Sequence, residues 1–187
     1  MNPKNLIIKP LSYRGGNLTR ISDNIISANP LVDKVKILHS EEISPCFYHY
    51  EIPELSDQVN AESLRLWLEC DIVPKNTNDL YLILTSEPVC EESGDNEHYI
   101  LGQASPESPI AWVSTNRMEK NAKNIDSLIR GITAVALHEL GEQAGLEHHD
   151  ILNDSGYSCP MGTGHSALED DDKYCKACHE KLLSNIY

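Results

Sequence analysis

Positive charge is scarce in this sequence. Fifteen Lys and Arg residues stand against 29 Asp and Glu residues, which gives a formal net charge of -14. Proteins that bind nucleic acids rely on clustered Lys and Arg side chains to neutralise phosphates. The charge balance therefore argues against a nucleic-acid partner.

Long apolar runs are also missing. No segment approaches the roughly 18 apolar residues that a membrane-spanning helix needs. The apolar run near the N-terminus is too short for a signal peptide, and Pro10 interrupts it. We therefore expect no membrane partner and a cytoplasmic location. A disulfide framework is an alternative for the six cysteines, but the lack of an export signal disfavours it.

Internal repeats and low-complexity segments are absent as well, and nothing marks a domain boundary. A chain of 187 residues is long enough for one core with an internal cleft. We expect a single domain spanning residues 1–187, and a monomer.

The pattern of apolar residues indicates alternating strands and helices. Residues 5–11, 18–28 and 32–38 are predicted as strand, helix and strand, an order that favours a parallel strand pair. Further strands are predicted at 80–84, 98–103 and 109–114, helices at 61–70 and from about Tyr174, and loops at 91–97 and 102–106. A long helix is predicted to begin near Asn124, a plausible N-cap, and to carry an apolar stripe into residue 140.

The end of that long helix carries the largest group of candidate functional residues. Residues 138–148 read His-Glu-Leu-Gly-Glu-Gln-Ala-Gly-Leu-Glu-His. His138 and Glu142 are one helical turn apart and share a face. Gly145 can adopt positive φ and turn the chain, so that His148 returns toward His138. These three residues predict a zinc site with an open fourth position, and Glu139 is placed to act as general base on a zinc-bound water.

A second group of candidate ligands follows. Cys175 and Cys178 form a C-x-x-C pair, the spacing with which two thiolates bind one tetrahedral zinc. Cys159 and His149 complete a closed structural site that would hold the irregular segment from residue 149 onward. The alternatives are a redox pair or free thiols, but no thioredoxin-like setting surrounds these residues. His179 and Asp150 are weaker alternative ligands.

Together these motifs resemble the archaemetzincins, a branch of the metzincin metallopeptidases with a second, cysteine-bound zinc. Four residues of the first motif match, and so do the later C-x-M and C-x-x-C motifs: His138, Glu139, Gly145, His148, Cys159, Met161, Cys175 and Cys178. Upstream, segments 79–81, 101–104 and 113–117 also look like family segments, so the resemblance covers roughly residues 70–180. The chain departs from the pattern in the spacings around Cys159 and at two residues: Glu142 stands where the family has His, and His149 where it has Cys.

The resemblance implies a mixed α/β fold: a twisted, mostly parallel sheet packed on helices and a zincin-type active-site helix. It also implies a short, zinc-stapled C-terminal subdomain, which we place at 149–187. Met161 would form the methionine turn beneath the catalytic metal, although a Met beside Pro and Gly is more often an ordinary turn residue. The family pairs its substrate with an edge strand, and we predict segment 111–115 as that edge.

We therefore expect a zinc-dependent peptidase that holds two zinc ions and acts on peptides or proteins. The catalytic zinc would bind His138, Glu142 and His148, a two-His, one-Glu set known among catalytic zinc sites. The carboxylate would make that zinc a weaker Lewis acid than three histidines would. The alternative is a weak or inactive, zinc-stabilised peptide-binding protein. A metal-dependent ribonuclease is a remote third, which Glu139, the cysteines and the acidic charge oppose. Three isolated cysteines are assigned no role: Cys46, Cys70 and Cys90.

Overall fold

The fold is built on a five-stranded sheet. The computed structural model describes residues 4–44, 58–74, 77–93, 96–106, 108–150, 158–162 and 172–184. Strands β1 (Lys4–Pro10), β2 (Val32–Ile37), β4 (Leu80–Thr85) and β8 (Ile110–Ser114) run parallel, and β7 (Gly102–Ala104) runs antiparallel to β8. The strand order is β2-β1-β4-β8-β7. The predicted mixed α/β class with a mostly parallel sheet is confirmed.

Each face of this sheet is covered by its own core. In β4, Leu82 and Leu84 lie in the core that also contains helices α1 (Leu18–Ala28) and α4 (Ile125–Gln143). The intervening Ile83 lies in the opposite core, with helix α2 (Ala61–Trp67). This alternation follows from the two-residue period of a strand. All six residues of β4 are buried, as a strand covered on both faces requires.

A small second sheet corrects two predictions. Strands β3 (Val59–Asn60), β5 (Val89–Ser93) and β6 (Asn96–Tyr99) form it in the order β3-β5-β6. The predicted loop at 91–97 is wrong, since β5 and β6 pair antiparallel there. An acidic composition indicates exposure to water and does not prevent backbone pairing. The single strand predicted at 98–103 is wrong too, because the chain leaves the small sheet after Tyr99 and enters the large one at Gly102.

The edge of the large sheet is also not where the sequence placed it. Segment 111–115 falls largely in β8, which is paired with β4 on one side and β7 on the other. The edge is β7, within the 102–106 segment that was predicted as a turn-rich loop. The glycine and polar residues of that segment favoured a loop prediction. They are compatible with a three-residue strand because an edge strand pairs on one side only.

Helix α4 carries the site and begins as predicted. The Asn124 side chain accepts a hydrogen bond from the Ser127 backbone at 2.8 Å, and the Ser127 hydroxyl bonds back to the Asn124 backbone. This capping box satisfies donors that a helix start leaves open. Gly145 follows the helix with φ 76°, the left-handed conformation expected of it.

The other helices are short. Helix α3 (Asn116–Asn121) precedes α4, and α5 (Lys176–Ser184) lies near the C-terminus. The helix predicted at 61–70 is α2 followed by a π-helical turn, Leu68–Ile72. Within the described segments, no helix has the length and apolar character that crossing a bilayer requires.

Candidate active site and cysteine cluster

Two residues from one helix and one from the chain beyond its end form the first candidate metal site. The nearest ligand-type atoms of His138, Glu142 and His148 all lie within 4.8 Å of one another. His148 Nε2 is 2.9 Å from Glu142 Oε1, and His138 Nε2 is 3.6 Å from the same oxygen. The structure thus brings all three predicted ligands of the catalytic metal together. Three donors of this kind leave room for water or substrate on a tetrahedral zinc.

His138 is held from behind by a backbone group. Its Nδ1 lies 2.6 Å from the Pro160 carbonyl oxygen. A carbonyl only accepts, so Nδ1 carries the proton and Nε2 faces the other two ligands. Hydrogen bonds of this kind fix the tautomer and the ring orientation of metal-binding histidines.

The charges of this site depend on one another. In the metal-free protein, burial opposes protonation of His138, but the nearby Glu142 carboxylate and the Pro160 carbonyl outweigh it and raise its pKa to about 9. The nearby His138 imidazole in turn holds the pKa of Glu142 below its usual value. Glu142 therefore acts as an anionic partner of two histidines, which matches the charge that a bound cation needs.

Glu139 lies against the edge strand β7, and its carboxyl also faces the charges of His138 and Glu142. Its side chain is 4% exposed, and its Oε2 atom has no hydrogen-bond partner among the described residues. Burial raises the pKa of Glu139 to about 8, although the neighbouring His138 works against the shift. A buried carboxyl with a free oxygen is suited to accept a proton, and a nearby cation would favour its charged form.

Gly102 makes room for that carboxyl. A methyl group added to Gly102 would lie 2.4 Å from Glu139 Oε1 and 2.8 Å from its Cδ atom. The carboxyl therefore packs directly against the backbone of β7. The sequence pattern predicted no role for Gly102. A glycine in a short strand is the signal that a close approach was required.

A tight turn surrounds Met161, as predicted; its place beneath a catalytic metal stays a prediction. The Gly162 N–H donates to the Cys159 carbonyl at 2.7 Å, which closes a turn around Pro160 and Met161. Met161 is fully buried, and its sulfur would lie 2.5 Å from a methyl group added to Gly141 of α4. Gly141 is a second glycine whose role sequence reasoning missed, and it lets Met161 approach the helix.

The second predicted site is also brought together. The ligand-type atoms of four side chains lie within 4.8 Å of one another: His149, Cys159, Cys175 and Cys178. We call this group the cysteine cluster. His149 Nε2 lies 3.0 Å from the Cys178 sulfur and 3.6 Å from that of Cys175, and the sulfurs of Cys159 and Cys178 are 3.9 Å apart. Three sulfurs and one imidazole are the donors of closed structural zinc sites.

Two thiols of the cluster shift each other's pKa in opposite directions. A shared hydrogen bond between Cys159 and Cys178 lowers the pKa of Cys159 to about 5 and raises that of Cys178. One thiol of the pair thus favours the thiolate form, which is the form that binds metals. The remaining cysteines lie elsewhere: Cys70 is exposed, Cys90 is buried away from the cluster, and Cys46 is outside the described residues.

Comparison with known proteins supports the fold. No protein-family model matches the sequence, and no curated protein matches it. Among solved structures, archaemetzincin from Methanopyrus kandleri matches with a TM-score of 0.71 at 22% identity, over 98% of this chain and 96% of that one.

Two further structures agree with the first. Archaemetzincin from Archaeoglobus fulgidus, complexed with malonate, has a TM-score of 0.68 at 17% identity, over 95% of this chain and 99% of that one. A zinc-dependent peptidase from Methanocorpusculum labreanum has a TM-score of 0.69 at 18% identity, over 95% of this chain and 100% of that one. The chain therefore has an archaemetzincin-like fold, as its motifs predicted.

Proposed function

We propose that this protein is a zinc-dependent peptidase that binds two zinc ions. The observation that carries the proposal is the convergence of His138, Glu142 and His148 beside the buried Glu139, one oxygen of which has no hydrogen-bond partner in the described part of the chain. The structural neighbours described as archaemetzincin or zinc-dependent peptidase support the same conclusion.

His138, Glu142 and His148 would hold the catalytic zinc. When bound, zinc would polarise the scissile carbonyl and make the attacking water more acidic. Glu139 would take a proton from that water and pass it to the leaving amine. Burial of Glu139 supports this role, because it keeps bulk water from the carboxyl, while a cation bound beside it would favour the charged form that accepts the proton.

The open edge of β7 would position the substrate. It lies beside Glu139, and its outer backbone groups have no partner strand in the described part of the sheet. A peptide added there would present its backbone to the carboxyl that does the chemistry.

Metal analysis tests the two sites. The purified protein should contain two zinc ions per chain, held by the first site and by the cysteine cluster. His138→Ala should release one of them and keep the other. A single zinc that survives His138→Ala would contradict the two-site proposal.

Turnover tests Glu139. Glu139→Gln preserves the volume of this buried side chain and removes the base, so we expect loss of cleavage of a mixed peptide library with unchanged zinc content. Glu147→Gln is the matched control, since Glu147 is an exposed glutamate close to the site, and it should leave the rate unchanged. Persistent cleavage by Glu139→Gln would rule out the general-base role.

Glu142 favours one alternative, a zinc-stabilised peptide-binding protein with little activity. Its carboxylate accepts from His148 and pairs with His138, and its charge would weaken zinc as a Lewis acid. Peptides retained but not cleaved by the zinc-loaded wild-type protein would favour this alternative.

A further inference from the structure

The two candidate metal sites are connected by residues that are adjacent in the chain. Three of the four cluster residues are sequence neighbours of residues that shape the first site. His149 follows His148, a predicted ligand of the catalytic zinc. Cys159 precedes Pro160, whose carbonyl orients His138, and Cys175 follows Tyr174, whose hydroxyl donates to the Leu137 carbonyl. Each pair links the two sites through one peptide unit.

These contacts surround the helical turn that presents His138. The Pro160 carbonyl lies behind the imidazole, and the Tyr174 hydroxyl binds the helix one residue earlier, at Leu137. Met161, next to Pro160, packs on Gly141 one turn later. The position of His138 Nε2 therefore depends on where the segments around residues 160 and 174 lie.

Those two segments have little regular structure to fix them. Residues 158–162 and 172–175 belong to no helix or named strand of the fold. Cys159, Met161 and Tyr174 are buried in the main core, and two hydrogen bonds connect the segments to residues of the cluster: the Cys175 N–H donates to the Cys159 sulfur at 3.3 Å, and the His149 N–H donates to the Met161 carbonyl at 2.9 Å. A metal ion joining these side chains would contribute its binding free energy to the order of both segments.

We propose that metal in the cysteine cluster prepares the first site for its own metal, with Pro160 and Tyr174 as the positioning residues. This inference rests on the proposed two-site function and concerns its regulation. Filling the cluster fixes the segments around residues 160 and 174, and these fix the orientation of His138. Linkage makes the effect reciprocal, so metal at the first site also tightens the cluster.

Tyr174→Phe tests the coupling between the two sites without changing a metal ligand, because it removes one hydroxyl and leaves all seven predicted ligands in place. Tyr13→Phe is the matched control. Tyr13 is also buried, and its hydroxyl also donates to a backbone carbonyl, that of Gly16 at 3.3 Å, but it contacts neither site. Cys178→Ser disables the cluster itself.

The full-length protein, stripped of metal with a chelator, is titrated with Co²⁺, and binding is followed by absorbance. Charge-transfer absorbance from thiolate to cobalt shows binding at the cysteine cluster. A second equivalent of Co²⁺ that binds without increasing this charge-transfer absorbance is assigned to the first site. We expect the cluster to fill first in the wild type. Tyr174→Phe should weaken the second step about 10- to 100-fold, the usual cost of losing a group that orients a ligand. Tyr13→Phe should change neither step, and Cys178→Ser should weaken both.

Equal second-step affinities in wild type and Tyr174→Phe would overturn the coupling while leaving the two-site function intact. An equal loss in Tyr174→Phe and Tyr13→Phe would overturn it as well, since the effect would then belong to any buried hydroxyl. A wild-type protein that binds one Co²⁺, at the thiolates alone, would refute the proposed function and the coupling with it. The last result is distinct from the first two, which require a second ion to bind.

Discussion

Gly102→Ala tests whether the packing of Glu139 against β7 controls catalysis. The added methyl group would lie 2.4 Å from Glu139 Oε1, whereas ordinary contact begins near 3.4 Å. The carboxyl must therefore retreat by about 1 Å, a displacement that typically costs about 100-fold in rate. We expect kcat/KM to fall by about that factor, equivalent to about 2.7 kcal/mol of transition-state stabilisation.

The fold should tolerate this change. Gly102 does not adopt positive φ, and the three atoms nearest to the added methyl group all belong to the Glu139 side chain and none to the backbone. We expect unchanged zinc content and a nearly unchanged urea midpoint. Gly16→Ala is the matched control, because its added methyl group meets nothing within 4 Å. Cleavage is measured with a pooled, fluorescence-quenched peptide library. Full activity of Gly102→Ala would refute the steric argument, and so would a loss of activity explained by loss of zinc.

Four further predictions concern Glu142, His138 and Asn124. Glu142→His should raise the zinc affinity of the first site in chelator competition, since it restores a third imidazole, and a weaker site would contradict this. His138, with its pKa raised to about 9, should bind zinc more tightly as pH rises toward 9 because the proton competes for Nε2; a pH-independent affinity would oppose this. The same raised pKa stabilises the metal-free fold fully below 6.5 and stops doing so as pH rises through 9, which urea unfolding at several pH values measures. Asn124→Ala should lower the free energy of unfolding by about 1 kcal/mol because it removes the cap of α4, and an unchanged urea midpoint would contradict it.

The sequence predicted the local part of the site well. His138 and Glu142 share a helix face because they are one turn apart, and the positive φ of Gly145 follows from its lack of a side chain. The return of His148 and the gathering of the cysteine cluster were inferred from ligand spacing, and the structure places both groups within reach of an ion. That these residues bind zinc in the roles assigned stays a prediction, as do the single domain with its subdomain at 149–187, the monomeric state and the cytoplasmic location.

The parts that the sequence did not predict depend on contacts between distant segments. Gly102 and Glu139 are separated by more than thirty residues, and nothing in the local pattern of either indicates that they touch. The edge of the sheet was misplaced for the same reason: β8 has the apolar composition of a strand, but only the position of β7 decides which strand is outermost. The Pro160 carbonyl is invisible to any side-chain motif, since every residue has one.

The two outer strands of the large sheet have a consequence for handling the protein in solution. An unpaired edge can recruit another molecule into a continuous intermolecular sheet, and nature limits this with short or charged edges. Here β7 is only three residues long, and β2 at the other end exposes Asp33, Lys34 and Lys36. Both edges therefore disfavour strand pairing between copies of the protein. An edge left unpaired for a peptide, as we propose for β7, then carries little risk of aggregation.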